Sequence, residues 1–143
     1  MTSVTIKQKK VLSLNLSFNE DFKGRELLKD AQVSVSPIID PSEPDDVFLV
    51  VDFDFNCDSM SDDFKLRANI EIAFVLNKTS DIQKTDFYKC VELTKEHLQN
   101  IINATFDGQT PINVSTIGID VLSDMLDDKI QTIQYFFLVH TLL

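Results

Sequence analysis

Val47-Phe48-Leu49-Val50-Val51-Asp52-Phe53-Asp54-Phe55-Asn56-Cys57 is the stretch from which the fold is read. Val47, Leu49, Val51, Phe53, Phe55 and Cys57 form an unbroken apolar row at every second position, and Asp52, Asp54, Asn56 and Asp58 fall between them. Successive side chains of a strand point to opposite faces, so this alternation predicts a strand with one face in the core. Phe64 to Leu76 repeats the pattern in the other parity. Phe64, Leu66, Ala68, Ile70, Ile72, Phe74 and Leu76 share a face, and Lys65, Arg67, Asn69 and Glu71 share the other. The polar segment Asp58-Ser59-Met60-Ser61-Asp62-Asp63 joins the two runs, which predicts a hairpin over 47–57 and 64–76.

Working outward, a strand is expected over 4–18, where Leu12, Leu14, Leu16 and Phe18 alternate with Ser13, Asn15 and Ser17. A shorter one is expected over 32–39, with Val33 and Val35 on one face. It is closed by Asp40-Pro41-Ser42-Glu43-Pro44-Asp45, because proline cannot donate to a ladder. The charged segment between, Asn19 to Asp30, reads as a loop with a single helical turn near Glu26 to Lys29. Beyond Asp86 the period becomes helical. Phe87, Val91, Leu98, Ile101, Ile102 and Phe106 predict a helix over 86–107, capped by Asp86 or Thr85 and ended by Gly108. Leu122, Met125, Leu126, Ile130, Ile133 and Phe137 predict a second over 120–139, opened by Asp120. The expectation is one α+β domain over 1–143, four strands followed by two helices, which is within the usual domain size.

Chemistry is scarce in this chain. It has 2 histidines, His97 and His140, neither at metal-ligand spacing, and 2 cysteines, Cys57 and Cys90, expected as small buried hydrophobes. No phosphate-binding glycine loop, nucleophile elbow or dinucleotide fingerprint is present. The acidic pairs Asp45-Asp46, Asp62-Asp63 and Asp127-Asp128 lack the glycine and glutamate of a calcium loop. These readings predict no catalytic residue, no metal and no cofactor. The formal net charge of −10 disfavours a nucleic-acid partner, since phosphate contacts need clustered Lys and Arg. The most apolar run, Tyr135 to Leu143, falls short of the ~20 residues of a membrane span, and no signal-peptide layout opens the chain. A cytoplasmic protein without membrane insertion is expected.

The strand face away from the core changes character along its length. With the hairpin in register near residues 60 and 61, Asp52 and Asp54 lie opposite or beside Lys65 and Arg67, so cross-strand ion pairing is their first reading. The second is that Asp52, Asp54 and Asp58 form an acidic patch for a basic partner. At the other end Phe48 and Val50 share that face with Ala73 and Val75. An apolar patch on such a face marks an interface or binding surface, or is covered by the chain's own helices. Phe136 and Phe137 belong to a terminal stretch too apolar all round for a monomer, so a homo-oligomer is expected, a dimer or a tetramer.

The layout also resembles a known family, the bacterial export chaperone SecB and its SecB-like relatives. Asp45-Asp46-Val47-Phe48 is similar to the Asp-Asp-Val-Tyr opening of the family's third strand. Gly108-Gln109-Thr110-Pro111, Asn113-Val114 and Ile117-Gly118-Ile119-Asp120-Val121-Leu122 resemble the turn and helix start that follow its long helix. With one single-residue gap, Gly108, Pro111, Asn113, Asp120 and Leu122 fall on matching positions. The resemblance implies a four-stranded antiparallel sheet packed by a long helix, and a dimer of dimers. It also implies an ATP-independent chaperone that holds unfolded polypeptide in apolar grooves; some relatives protect an antitoxin instead. Three features depart from the pattern. The crossover 77–86 is short and polar where SecB is longer, Gly-rich and apolar. The family's Pro-Tyr pair at the helix entrance is missing, and the chain ends apolar where SecB ends polar.

Two functions from different classes follow: a SecB-like holdase for unfolded or partly folded polypeptide, and a non-catalytic oligomeric module dedicated to one protein partner, for example an antitoxin or phage protein.

Overall fold

The computed structural model describes residues 5–18, 27–38, 42–43, 45–59, 65–77, 82–106, 113–114, 129–131 and 135. Four strands, β1 (Ile6–Phe18), β2 (Leu27–Ile38), β3 (Val47–Ser59) and β4 (Lys65–Leu76), precede one long helix, α1 (Lys84–Thr105). The strands make a single sheet in the order β1-β4-β3-β2, every neighbouring pair antiparallel. The expected α+β class and four-stranded antiparallel sheet are therefore present. Of the second predicted helix, residues 129–131 and 135 are described, and they are helical. Gly108, Pro111, Asp120, Leu122, Phe136 and Phe137 lie outside the described residues.

The β3–β4 hairpin forms the centre of the core. Val47, Leu49, Val51, Phe53 and Phe55 of β3, and Leu66, Ala68, Ile70, Ile72, Phe74 and Leu76 of β4, are all buried on the side facing α1. Burying a side chain of this size contributes roughly 1.5–3 kcal/mol, so the two alternating runs supply most of the reason for the fold. From α1, Phe87, Cys90, Val91, Leu98 and Ile102 meet them at helical spacing. Ile82 in the crossover, Val114 beyond α1 and Ile130 complete the cluster. The Val114 backbone N–H donates to Gln99 Oε1 at 2.6 Å, which fixes the chain after α1 against the helix.

Several sequence expectations are corrected. β2 begins at Leu27, not Gln32, so residues 27–29 are strand and make no helical turn. The reason is pairing: β3 continues to Ser59, and β2 follows it along the full length, Leu27 opposite Ser59 and Ile38 opposite Phe48. Such pairing overrides the weak strand preference of Leu27-Leu28-Lys29-Asp30. In β1 the alternation breaks between Val11 and Ser13, where a bulge leaves Leu12 outside the ladder. Leu12 therefore does not share a continuous row with Leu14, Leu16 and Phe18. α1 starts at Lys84 with Gln83 as its extended N-cap residue. Asp86 acts from within the first turn, its carboxylate accepting the Gln83 backbone N–H at 2.8 Å.

The hairpin register is also corrected. Asp52 stands opposite Glu71, Asp54 opposite Asn69, Asn56 opposite Arg67 and Asp58 opposite Lys65. Asp52 and Asp54 are therefore not directly opposite Lys65 or Arg67, and Arg67 is the diagonal neighbour of Asp54. A slip of two residues keeps every side chain on its face, so the hydrophobic pattern cannot choose between these registers. The observed one sets Leu76 against Val47; the other sets it against Asp45, beyond the apolar run.

Candidate functional site

Three surfaces of the sheet keep partly or fully exposed side chains among the described residues. The first is the apolar end of the outer face, away from α1. Phe48 pairs with Val75 and Val50 with Ala73, so the four predicted patch residues form two adjacent rows, all half-buried. The rows extend across the sheet, with Gln8 beside Val75, Lys10 beside Ala73, Ser36 beside Val50 and Ile38 beside Phe48. Ile38, 53% exposed, is an apolar member that sequence reasoning missed. Its signal was its parity, opposite to that of Val33 and Val35.

Further along the same face the patch turns acidic. Asp52, half-buried, and Asp54, exposed, border an open trough of about 490 Å³ lined also by Asn15, Gln32, Ser34 and Asn69. Asn69 Nδ2 donates to Asp52 Oδ1 at 2.9 Å. Asp58 continues the line on β3, with the backbone of Lys65 opposite. Glu71, directly across from Asp52, adds a further acidic residue to this end. Among the described residues no cluster of His, Cys, Asp and Glu is arranged to hold a metal ion.

The third surface is β1, the outer strand beside β4. Leu14, Leu16 and Phe18 lie opposite Ile70, Ala68 and Leu66, on the α1 side of the sheet, yet Leu14 is 45% and Phe18 42% exposed. The cause is the placement of α1, which packs over β3 and β4. β1 is reached at its far end, where the Phe18 and Phe106 rings stand 4.6 Å apart between centroids. Val11, Leu14 and Phe18 therefore form an apolar margin along a sheet edge. Sequence alternation shows which face they occupy, but not how far a helix of given length reaches across it.

α1 holds two polar features within its buried side. Lys95 is buried and its ammonium pairs with Glu92 at 3.2 Å, while Thr94 returns its hydroxyl to the Cys90 carbonyl at 2.8 Å. Burial pushes the Cys90 thiol up to about 12, with the nearby Asp86 carboxylate adding to the effect. Cys90 is thus a protonated core residue, as its type suggested.

The arrangement has a counterpart among solved structures. The chain superposes with a TM-score of 0.57 on the Mycobacterium tuberculosis Rv1957 SecB-like chaperone in complex with a ChAD peptide from the Rv1956 HigA1 antitoxin, at 10% identity, over 71% of this chain and 82% of that one. The fold is SecB-like. A protein of unknown function from Streptococcus agalactiae aligns with a TM-score of 0.45 and 9% identity, over 82% of this chain and 98% of that one. No family model matches the sequence, and no curated protein matches it. At such identity the shared feature is the SecB-like sheet and helix, and the open surfaces have to be argued from this chain's own residues. No helix among the described residues is long and apolar enough to cross a membrane.

Proposed function

We propose that this protein is an ATP-independent SecB-like chaperone, a holdase that binds unfolded or partly folded polypeptide in the cytoplasm without cofactor or metal. The observation that carries the reading is the half-buried to exposed apolar surface on a SecB-like sheet. Phe48, Val50, Ala73, Val75 and Ile38 lie on its outer face, and Val11, Leu14 and Phe18 lie along β1. Contiguous apolar area of this kind binds extended chains through side-chain burial, which needs no nucleotide. Phe136 and Phe137 are assigned to the same client or oligomer surface on their sequence pattern alone.

The same surfaces support a homo-oligomer. β1 is an edge strand with no further strand beside it among the described residues, and it carries an apolar margin, the combination that recruits another strand. Nucleic acid is not a partner in this reading, because the outer face carries Asp52, Asp54 and Glu71 and the net charge is −10.

The test is static light scattering of a thermally unfolding client with and without the purified protein, in nucleotide-free buffer. Slower aggregation at substoichiometric or equimolar oligomer supports the proposal. A monomeric protein that leaves the aggregation rate unchanged overturns it.

A second reading, a module dedicated to one protein partner, is favoured by one observation: the SecB-like neighbour is in complex with a peptide of an antitoxin. On that reading Asp52, Asp54 and Asp58 offer a basic partner an acidic strip beside the apolar rows. Pull-down of one stoichiometric partner supports it, and a scatter of unfolded chains supports the holdase.

A further inference from the structure

The two edges of the sheet are treated differently. β2 is the outer strand beside β3, and the Lys129 ammonium donates to the backbone carbonyl of Val35 within it. In an antiparallel ladder, alternate residues of an edge strand turn both backbone groups toward the paired strand or both away from it. The Val35 carbonyl that takes an ammonium therefore points out of the sheet, and so do the backbone groups of Ala31, Val33 and Pro37, which share its parity. Pro37 has no N–H to offer in that outward row. Two of the groups another strand would need are thus removed, one by occupation and one by residue type. Lys129 is held in place by its neighbour Ile130, which is 9% exposed and belongs to the core. β1, in contrast, has no proline in its 13 residues; its lysines and its bulge lie between Ile6 and Ser13, and the stretch from Ser13 to Phe18 pairs with β4 without interruption.

We infer that Lys129 and Pro37 together close the β2 edge and stop copies of this chain from pairing through β2. The consequence is geometric. A sheet with two open edges adds copies at both and grows without limit, whereas a sheet with one open edge is complete once two copies have met there. Lys129 sits on the far side of α1 in sequence, so the closure forms only once Lys129 has reached β2. An acidic, apolar-surfaced protein that gathers unfolded chains has particular need of it, because an open edge beside bound client is a template for aggregation.

The closure does not depend on the chaperone reading, since it concerns self-assembly and not clients. The experiment is sedimentation velocity across a concentration series on the full chain, comparing wild type with Lys129→Gln, Pro37→Val and the double variant. The variants are measured against wild type's own distribution, whatever its size. The expected result is larger, concentration-dependent species in the double variant, with onset at about tenfold lower concentration, as befits loss of a charge-assisted hydrogen bond. Lys129→Arg, which keeps a cationic donor, stays at the wild-type distribution. If Lys129→Gln lowers the near-ultraviolet circular dichroism and unfolds, Pro37→Val alone decides, because it leaves Lys129 in place and still restores an outward N–H. Folded variants that sediment as wild type at every concentration overturn the inference.

Discussion

Asp52 on β3 and Glu71 on β4 stand directly opposite each other on the outer side of the sheet, acid against acid in the middle of the central hairpin. Like charges at directly opposed positions cost stability, by amounts similar to the roughly 0.2–1 kcal/mol that opposite charges contribute. Asn69 relieves part of this by donating to Asp52. The pair makes the outer face acidic where an ordinary sheet would carry a cross-strand ion pair. Glu71→Lys is therefore expected to raise the unfolding free energy by about 0.2–1 kcal/mol in urea at low salt. The gain should shrink as salt is added. A variant that is less stable than wild type at low salt would mean that the two carboxylates are not in opposition.

Phe53 and Phe48 lie on the same strand but on opposite faces, and they separate stability from binding. Phe53 is fully buried against the core. Phe53→Ala should cost about 3–5 kcal/mol in denaturant unfolding. Phe48 is half-buried in the outer apolar rows. Phe48→Asp, with or without Val75→Asp, should keep the circular dichroism of the fold and weaken client binding or assembly. Unchanged behaviour in both assays would show that these rows are not the binding surface.

β1 carries the prediction for assembly. Leu14 and Phe18 are large apolar residues nearly half exposed on an outer strand of the sheet. Leu14→Lys should shift the oligomer toward smaller species in light scattering, because an inward-facing charge at an edge strand opposes pairing. If the wild-type mass is retained, association runs through the outer face instead.

Cys90 gives a prediction in alkaline solution. Its thiol is pushed up to about 12 from an ordinary value near 9.0, chiefly by burial and then by Asp86. Above the ordinary value the unfolded chain releases this proton while the folded chain keeps it. Stability from this group is therefore fully present below about pH 9 and falls as pH rises toward about 12. Cys90→Ser or Cys90→Ala should flatten that part of the pH–stability curve. In the folded protein at pH 8, Cys90 should react with a thiol reagent far more slowly than in urea. Equal rates would place the thiol at the surface.

The hairpin was legible because it needs only alternation: Val47 to Cys57 and Phe64 to Leu76 state their inner faces residue by residue. The apolar rows on the outer face were legible for the same reason, since parity puts Phe48, Val50, Ala73 and Val75 together in any register that keeps the core. The pairing of Asp52 was not, because a two-residue slip leaves every face unchanged and only the fit of Leu76 against Val47 separates the registers. The start of β2 was hidden for a related reason. Leu27 to Asp30 are strand through pairing with β3 and show no alternation of their own. The exposure of Leu14 and Phe18 depends on where α1 crosses the sheet, a tertiary fact that no local period encodes. The contact of Lys129 with Val35 spans most of the chain and has no sequence signal except a proline at position 37.

The central claim is that the apolar rows on a SecB-like sheet hold unfolded polypeptide without nucleotide. The most direct measurement is the aggregation rate of an unfolding client, followed by light scattering in nucleotide-free buffer, with wild type and Phe48→Asp/Val75→Asp side by side. The account predicts that wild type slows aggregation in proportion to its concentration and that the folded double variant loses most of this effect. Equal protection by both proteins, or none by wild type, would contradict it.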